Sequence, residues 1–220
     1  MGNPRIVCTP SGHAAVTLDF PEELSNLTGM FRNAARVVNE SQGGVLMVHF
    51  EHFEDDFTAT LEKMAYDEEF YDQVVGFWSF AARGGVFSFA RDSARAALSS
   101  VRVASAGGDT LLKVASSAAF TVGERIVIES VNDGWQQEAA LITAKDVSSA
   151  PSLTVTGANQ DGLAMIFGWE VGARVRSEWY SPQCMVADDV WPITEPGGGL
   201  QMTLALRIKT IAGRAVVAEP

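Results

Sequence analysis

The stretch EFYDQVVGFWSFAARGGVFSFARDSAR, residues 69–95, sets the order of elements in the first half of the chain. Four of its apolar residues recur at helical spacing, namely Phe70, Val74, Phe77 and Ala81. This spacing predicts an amphipathic helix over residues 67–83. The double glycine at 84–85 is typical of a helix end, and GVFSFAR after it predicts a short strand. A helix that turns back into a sheet is therefore expected here.

The residue pattern of the sequence changes from about residue 97. Short runs of β-forming residues alternate with Gly, Asn, Asp, Ser and Pro, at the spacing of a small barrel or sandwich. The predicted strands are Ser100–Ala104, Thr110–Lys113, Arg125–Val131, Glu138–Lys145, Leu153–Thr156 and Ala173–Ser177. A long final strand, Leu200–Ile208, follows the loop EPGGG at 195–199.

This order predicts a mainly β protein in which one domain interrupts another. The outer domain is expected to comprise residues 1–96 and 178–220, as a β-sandwich or barrel with the helix packed on it. Residues 97–177 are expected to form an inserted small β-barrel module. Insertions of this kind are tolerated at surface loops.

Composition excludes several classes of protein. The formal net charge of −11 opposes binding to a nucleic-acid backbone, which needs clusters of Lys and Arg. No apolar stretch is long enough for a transmembrane helix, and the N-terminus lacks the apolar core of a signal peptide. Cys8 and Cys184 are too few for a disulfide framework; one bridge between them is allowed, but two buried reduced thiols are favoured.

Catalytic and metal-binding patterns are weak. His49 and His52 lie beside carboxylates, but strict alternation along a strand would place them on opposite faces. The sequence has no Gly-x-Ser-x-Gly and no phosphate-binding glycine loop. The acidic groups at 54–56 and 188–189 could serve a glycosidase only at a fixed separation, which a sequence does not supply. We therefore expect no cofactor, no metal and no enzyme, with a glycan-cleaving enzyme as the weakest hypothesis.

Tryptophans offer a different function. Aromatic rings stack on sugars, so Trp135 and Trp169 are candidate platforms of a carbohydrate-binding module for host-surface glycans. Trp135, in the predicted turn NDGWQQ, is the better candidate for an exposed ring. The same residue type also fills cores and subunit contacts, so the pattern leaves both readings open.

Two stretches resemble proteins of bacteriophage tails. YDQVVGFWSFAARGGVFSFARDSAR, at 71–95, is similar to the helix, glycine turn and aromatic strand of the distal tail family of long-tailed phages. AGGDTLLKVASSAAFTVGERIVIES at 106–130, EAALITAKDVSSAPSLTVTG at 138–157 and WEVGARVRS at 169–177 resemble the small β modules of phage tail proteins. The shared pattern runs from F-x-x-G-[DE]-x-[IV] to a closing G-A-x-V.

The resemblance implies a structural role without catalytic residues. A distal tail protein forms a hexameric, tail-tube-like ring in the virion, between the tail tube and the baseplate or hub proteins, and is made in the cytoplasm of the bacterial host. The candidate subunit-interface residues are Arg83, Arg91, Trp191 and Leu200.

Overall fold

The computed structural model describes residues 4–12, 14–19, 26–28, 32–40, 46–63, 68–132, 136–157, 164–186, 193–194 and 202–210. Side chains are described within 4–12, 14–19, 72–132, 136–156 and 164–186. This part of the chain is mainly β with one α-helix, which confirms the predicted fold class. Among the described helices, none has the length and apolarity needed to cross a bilayer.

Fifteen strands and one α-helix follow one another along the described residues. They are β1 (Arg5–Cys8), β2 (Val16–Asp19), β3 (Asn26–Thr28), β4 (Arg32–Glu40), β5 (Leu46–Lys63), α1 (Glu68–Ala81), β6 (Phe87–Ala90), β7 (Leu98–Ser100), β8 (Leu111–Lys113), β9 (Arg125–Glu129), β10 (Gln137–Asp146), β11 (Ser152–Gly157), β12 (Arg174–Ser177), β13 (Tyr180–Val186), β14 (Ile193–Thr194) and β15 (Met202–Thr210).

The chain divides into two compact units. The sheet unit is built from the segments Asn3–Phe89 and Gln183–Ala212, and the barrel unit from Ala90–Pro182. The strands form a nine-stranded sheet in the order β2-β1-β6-β13-β15-β5-β3, with β14 on β15 and β4 on β5. A separate six-stranded sheet has the order β7-β12-β9-β10-β11-β8.

Helix α1 follows its predicted pattern in the sheet unit. Val74, Phe77 and Ala81 are buried, and the ring of Phe77 packs edge-to-face on Phe87 of β6 with centroids 5.1 Å apart. The Gly84 N–H donates to Ala81 O at 3.0 Å, and Gly84 adopts a φ of 78°, which an L side chain rarely tolerates. The apolar stripe thus packs beside the returning strand, and the glycine ends the helix.

Strands β4 and β5 form a long two-stranded ribbon that the sequence did not predict in full. β4 pairs in register with residues 46–55 of β5, whereas residues 56–63 of β5 pair with β15. We call β4 with residues 46–55 the β4–β5 ribbon. A register shift lies opposite residues 50–52, so strict alternation, the basis for separating His49 from His52, does not hold there.

Both cysteines lie in the sheet unit, on β1 and β13, with β6 between these strands in the sheet order. Cys8 and Cys184 are both buried. Burial raises the pKa of the Cys8 thiol, so this group is kept in its neutral form.

The barrel unit closes on itself. Its outermost strands, β7 and β8, are joined by a bridge between Val101 and Val114. The Ala115 N–H donates to Ser100 O and the Arg102 N–H to Lys113 O, both at 2.8 Å. Closure leaves no long sheet edge along this seam.

The barrel interior is a single apolar cluster drawn from all of its strands or their flanking residues. It contains Ala97, Val101, Leu112, Val114, Phe120, Ile126, Ile128, Ala140, Ile142, Leu153, Val155, Met165, Trp169, Ala173 and Val175. Alternation of inward and outward residues generates much of this set, as at Ala140 and Ile142 of β10.

Candidate functional site

The two ends of the barrel differ in their connections. At the basal end the chain enters and leaves, where the Ala97 N–H donates to Ser177 Oγ and the Ser177 N–H to Ala97 O. Because neighbouring strands are antiparallel, the β7–β8, β9–β10 and β11–β12 connections share the opposite end. We call this the apical end; its described residues are 103–110, 130–132, 136 and 164–173.

A buried carboxylate anchors one apical loop. Glu138, at the start of β10, is 6% exposed. Its Oε1 accepts a hydrogen bond from the Ile166 N–H at 2.7 Å, and its Oε2 accepts one from the Phe167 N–H at 3.3 Å. Two backbone donors that would otherwise lack a strand partner are satisfied by one side chain, which fixes this turn against the barrel wall.

A second carboxylate joins two apical loops. Glu170 Oε1 accepts from Ser130 Oγ at 2.7 Å and from the Val131 N–H at 2.8 Å. Desolvation opposes ionisation of Glu170, but the hydrogen bonds from Ser130 and from backbone N–H groups outweigh it and lower the pKa of the carboxyl. Glu170 is therefore a charged acceptor at neutral pH.

The remaining apical loop packs tightly on the same segment. Ser105 and Trp169 exchange backbone hydrogen bonds at 2.9 and 3.0 Å. A Cβ atom at Gly107 would lie 2.7 Å from Ile166 O, so only glycine permits this approach. Asp109 Oδ2 accepts from the Ala106 N–H at 2.8 Å. All three apical loops are thus tied to one another by short-range polar contacts.

Apolar side chains project from these linked loops. They are Val103 (44% exposed), Val131 (47%), Ile166 (66%), Phe167 (41%) and Val171 (61%). The Phe167 ring packs edge-to-face on Trp169, with centroids 6.1 Å apart. Exposed apolar residues on a fixed framework mark an interaction surface more often than single scattered ones do. This apical surface is the candidate functional site.

A polar cluster lies on neighbouring strands β9 and β12 of the barrel wall and on the chain segments next to them. Arg176 and Glu129 are both buried, with Arg176 Nε 2.8 Å from Glu129 Oε1. Arg176 Nη1 also donates to Tyr180 O at 3.0 Å. The guanidinium of Arg91 lies 4.4 Å from the centre of the Trp179 ring, and the Arg91 N–H donates to Trp179 O. These contacts hold together the two chain segments that bound the barrel.

The predicted site residues have different outcomes. Trp169 is 1% exposed and lies in the barrel core, so its proposed role as a glycan platform is wrong, because a sugar cannot reach the face of a buried ring. Arg83 and Arg91 are exposed, and Arg91 stacks within its own chain. Trp135, Trp191 and Leu200 lie outside the described residues, so the glycan prediction now rests on Trp135 alone.

Three acidic residues of the barrel accept hydrogen bonds from loop backbone groups. Glu124 Oε2 accepts from the Thr121 N–H, as Glu138 and Glu170 accept from loop N–H groups. Across the described ranges, no three His, Cys, Asp or Glu side chains are grouped closely enough to hold a metal ion. The acids at 54–56 lie on β5, where the backbone alone is described, and those at 188–189 lie outside the described residues.

Sequence reasoning missed the apical surface. None of the predicted strands covers AMIFGWEVG, residues 164–172, in which four residues are large and apolar. The available signal was its pair of glycines at 168 and 172 next to Ile166, Phe167 and Val171, which favours a loop over a strand. Comparison of the sequence with models of known protein families and with curated proteins found no match.

Proposed function

We propose that this chain is a structural, non-enzymatic subunit of a phage tail tip, which assembles into a hexameric ring between the tail tube and the baseplate or hub proteins. The observation that carries the proposal is the β4–β5 ribbon. In the described strands, β4 pairs with β5 only, and residues 46–55 of β5 pair with β4 only.

Such a ribbon favours assembly for a physical reason. A two-stranded hairpin is at best marginally stable in water. Each of its edges carries a row of backbone N–H and C=O groups that can pair with a strand of another chain. A contact of this head-to-tail kind closes into a ring when the rotation between copies divides a full turn. The ribbon thus supports self-assembly by strand addition.

Composition is consistent with a position around a DNA channel. The net charge of −11 would make a ring of several copies strongly acidic. An acidic wall repels the phosphate backbone and lets DNA slide without binding. The polypeptide is therefore proposed as a component of the virion, with the copies of itself and the adjoining tail proteins as its partners.

The mass of the full chain in solution tests the ring. Light scattering after size-exclusion chromatography is expected to give six times the 23.6 kDa chain mass, and negative-stain images are expected to show rings. Val37→Pro in β4 removes one backbone N–H from the ribbon and is expected to yield monomers. Val37→Thr keeps the N–H and a β-branched side chain, and serves as the matched control.

Two results would contradict the proposal. One is a wild-type chain that stays monomeric from about 1 µM to about 100 µM, the range in which specific interfaces assemble. The other is a Val37→Pro variant that assembles like the Val37→Thr control. Retention of the thermal unfolding transition of the sheet unit, as well as that of the barrel, in the proline variant would show that the loss of rings is not a loss of folding.

A further inference from the structure

We infer that the apical end of the barrel is a self-association surface, at which a second copy of this chain docks face to face through Val103, Val131, Ile166, Phe167 and Val171. The inference does not depend on the ring, because it concerns the barrel unit alone. A twofold contact of this kind requires a surface that is complementary to itself.

The charge distribution favours a second copy. A chain of net charge −11 repels its own copies over most of its surface. The described apical loops contain two charged residues, Asp109 and Glu170. Each is bonded within its own barrel: Asp109 to the Ala106 N–H, and Glu170 to Ser130 and Val131. Among the described apical residues, no unpaired charge would therefore face its own copy across such a contact.

The chemistry of the surface fits a protein better than a sugar. Three of the five exposed side chains are valines and one is isoleucine, and aliphatic groups offer no flat ring for stacking. The polar groups beside them are already engaged: Gln136 Nε2 donates to Gly168 O, and Glu138 binds two backbone N–H groups. A sugar would need free donors and acceptors, whereas an apolar protein surface needs none.

The apolar area of the apical surface indicates how tightly two copies are expected to bind. Five side chains that are 41–66% exposed present roughly 400 Å² of apolar surface, within the range of functional patches. Two facing copies would bury roughly 800 Å² of apolar area, which is about two thirds of an interface of roughly 1,200 Å². This is the lower end of specific interfaces, so we expect a reversible, concentration-dependent pair.

Sedimentation velocity of the full chain tests the inference. Between about 1 µM and about 500 µM, the particle mass is expected to double, from monomer to dimer or from ring to paired rings. The double variant Ile166→Ser/Val171→Ser is expected to weaken the doubling by about a hundredfold, because four apolar side chains leave each pair. If no ring forms, monomers are still expected to pair; if a ring forms, rings are expected to pair. A failure of the ring can therefore be distinguished from a failure of the apical contact.

The basal end supplies a matched control. Val122 and Val147 are 50% and 62% exposed, close to the 66% and 61% of Ile166 and Val171. They lie in the β8–β9 and β10–β11 connections, at the opposite end of the barrel. Val122→Ser/Val147→Ser removes similar apolar area and is expected to leave the doubling unchanged.

Salt separates this pairing from a contact with a basic partner. Added salt screens the repulsion between two acidic chains, so the doubling is expected to persist or strengthen from about 0.05 M to about 0.5 M NaCl. Three results would overturn the inference: no doubling over the concentration range, an equal loss in the basal control variant, or doubling that disappears at high salt. All variants are at exposed positions, and unchanged thermal unfolding confirms that they fold.

Discussion

The carboxylate of Glu138 holds the backbone of Ile166, 28 residues further along the chain, at 2.7 Å. The side chain of Ile166 is 66% exposed, while the acid that fixes its backbone is 6% exposed. A buried charge therefore positions an exposed apolar residue. Pre-ordering of this kind lowers the entropy lost when a surface binds, because the loop has no freedom left to give up.

Removal of this anchor should weaken the barrel. Glu138→Ala leaves the N–H groups of Ile166 and Phe167 without their acceptors, so we expect the free energy of unfolding to fall by about 1–3 kcal/mol. Urea unfolding measures the loss. Glu178→Ala is the control, because Glu178 is partly exposed and meets Arg125 at 3.8 Å; it should cost less than about 1 kcal/mol. Equal losses in the two variants would contradict the anchoring role.

Low pH should remove the stabilisation that the ionised Glu170 side chain provides. Hydrogen bonds lower the pKa of Glu170 below its ordinary value of 4.5, so its ionised form is bound more tightly in the folded state than in the unfolded chain. The resulting stabilisation is present above about pH 4.5 and is lost as the pH falls through the lowered pKa.

Comparison with Glu170→Gln isolates this effect. We expect the difference in unfolding free energy between the wild type and the variant to be constant from pH 7 to about pH 5 and to shrink between about pH 5 and pH 3. Urea titrations at each pH measure it. A difference that stays constant down to pH 3 would show that the charge of Glu170 does not contribute.

Two glycines should respond to alanine in opposite directions. At Gly107 an added Cβ would meet the carbonyl oxygen of Ile166 at 2.7 Å, so Gly107→Ala should destabilise the barrel by about 1–3 kcal/mol. Gly76 lies inside α1 with no atom within 4 Å of an added Cβ. Gly76→Ala should therefore stabilise the protein by about 0.5–1 kcal/mol, since alanine favours the helix. Thermal unfolding measures the change in stability of each variant. Changes of the same sign in both variants would contradict these expectations.

The local sequence pattern is sufficient to predict strands whose own residues are strongly β-forming. The predicted bounds of Arg125–Glu129 and Gln137–Asp146 are right to within two residues at either end, because both are runs of β-forming residues. The first half of Gln137–Asp146 also alternates between partly exposed and buried residues. β4 was not assigned as a strand, since RNAARVVNE is weakly β-forming and its structure depends on pairing with β5.

The apical site depends on contacts that a local pattern does not contain. The sequence makes Trp169 a candidate glycan platform, but its backbone pairs with Ser105, 64 residues earlier, and its ring lies in the core. Glu138 reads as the solvent face of a strand until its carboxylate meets the loop at Ile166. Whether an aromatic or acidic residue faces solvent is thus decided by long-range backbone pairing.

The buried pair of Glu129 and Arg176, on β9 and β12, should show strong coupling. Arg176→Met leaves the buried carboxylate of Glu129 with Arg174 alone, at 3.7 Å, and deletes the hydrogen bond to Tyr180 O. We expect a loss of about 3–5 kcal/mol, because an uncompensated charge then stays buried.

The double variant Glu129→Leu/Arg176→Met tests whether this cost is the unpaired charge. It removes both charges and fills the space with apolar atoms, so it should recover a large part of the loss from Arg176→Met alone. A double-mutant cycle from urea unfolding is therefore expected to give a coupling energy of about 1–3 kcal/mol. If the two single losses simply added in the double variant, the pair at 2.8 Å would contribute little and the hydrogen bond to Tyr180 would account for the role of Arg176.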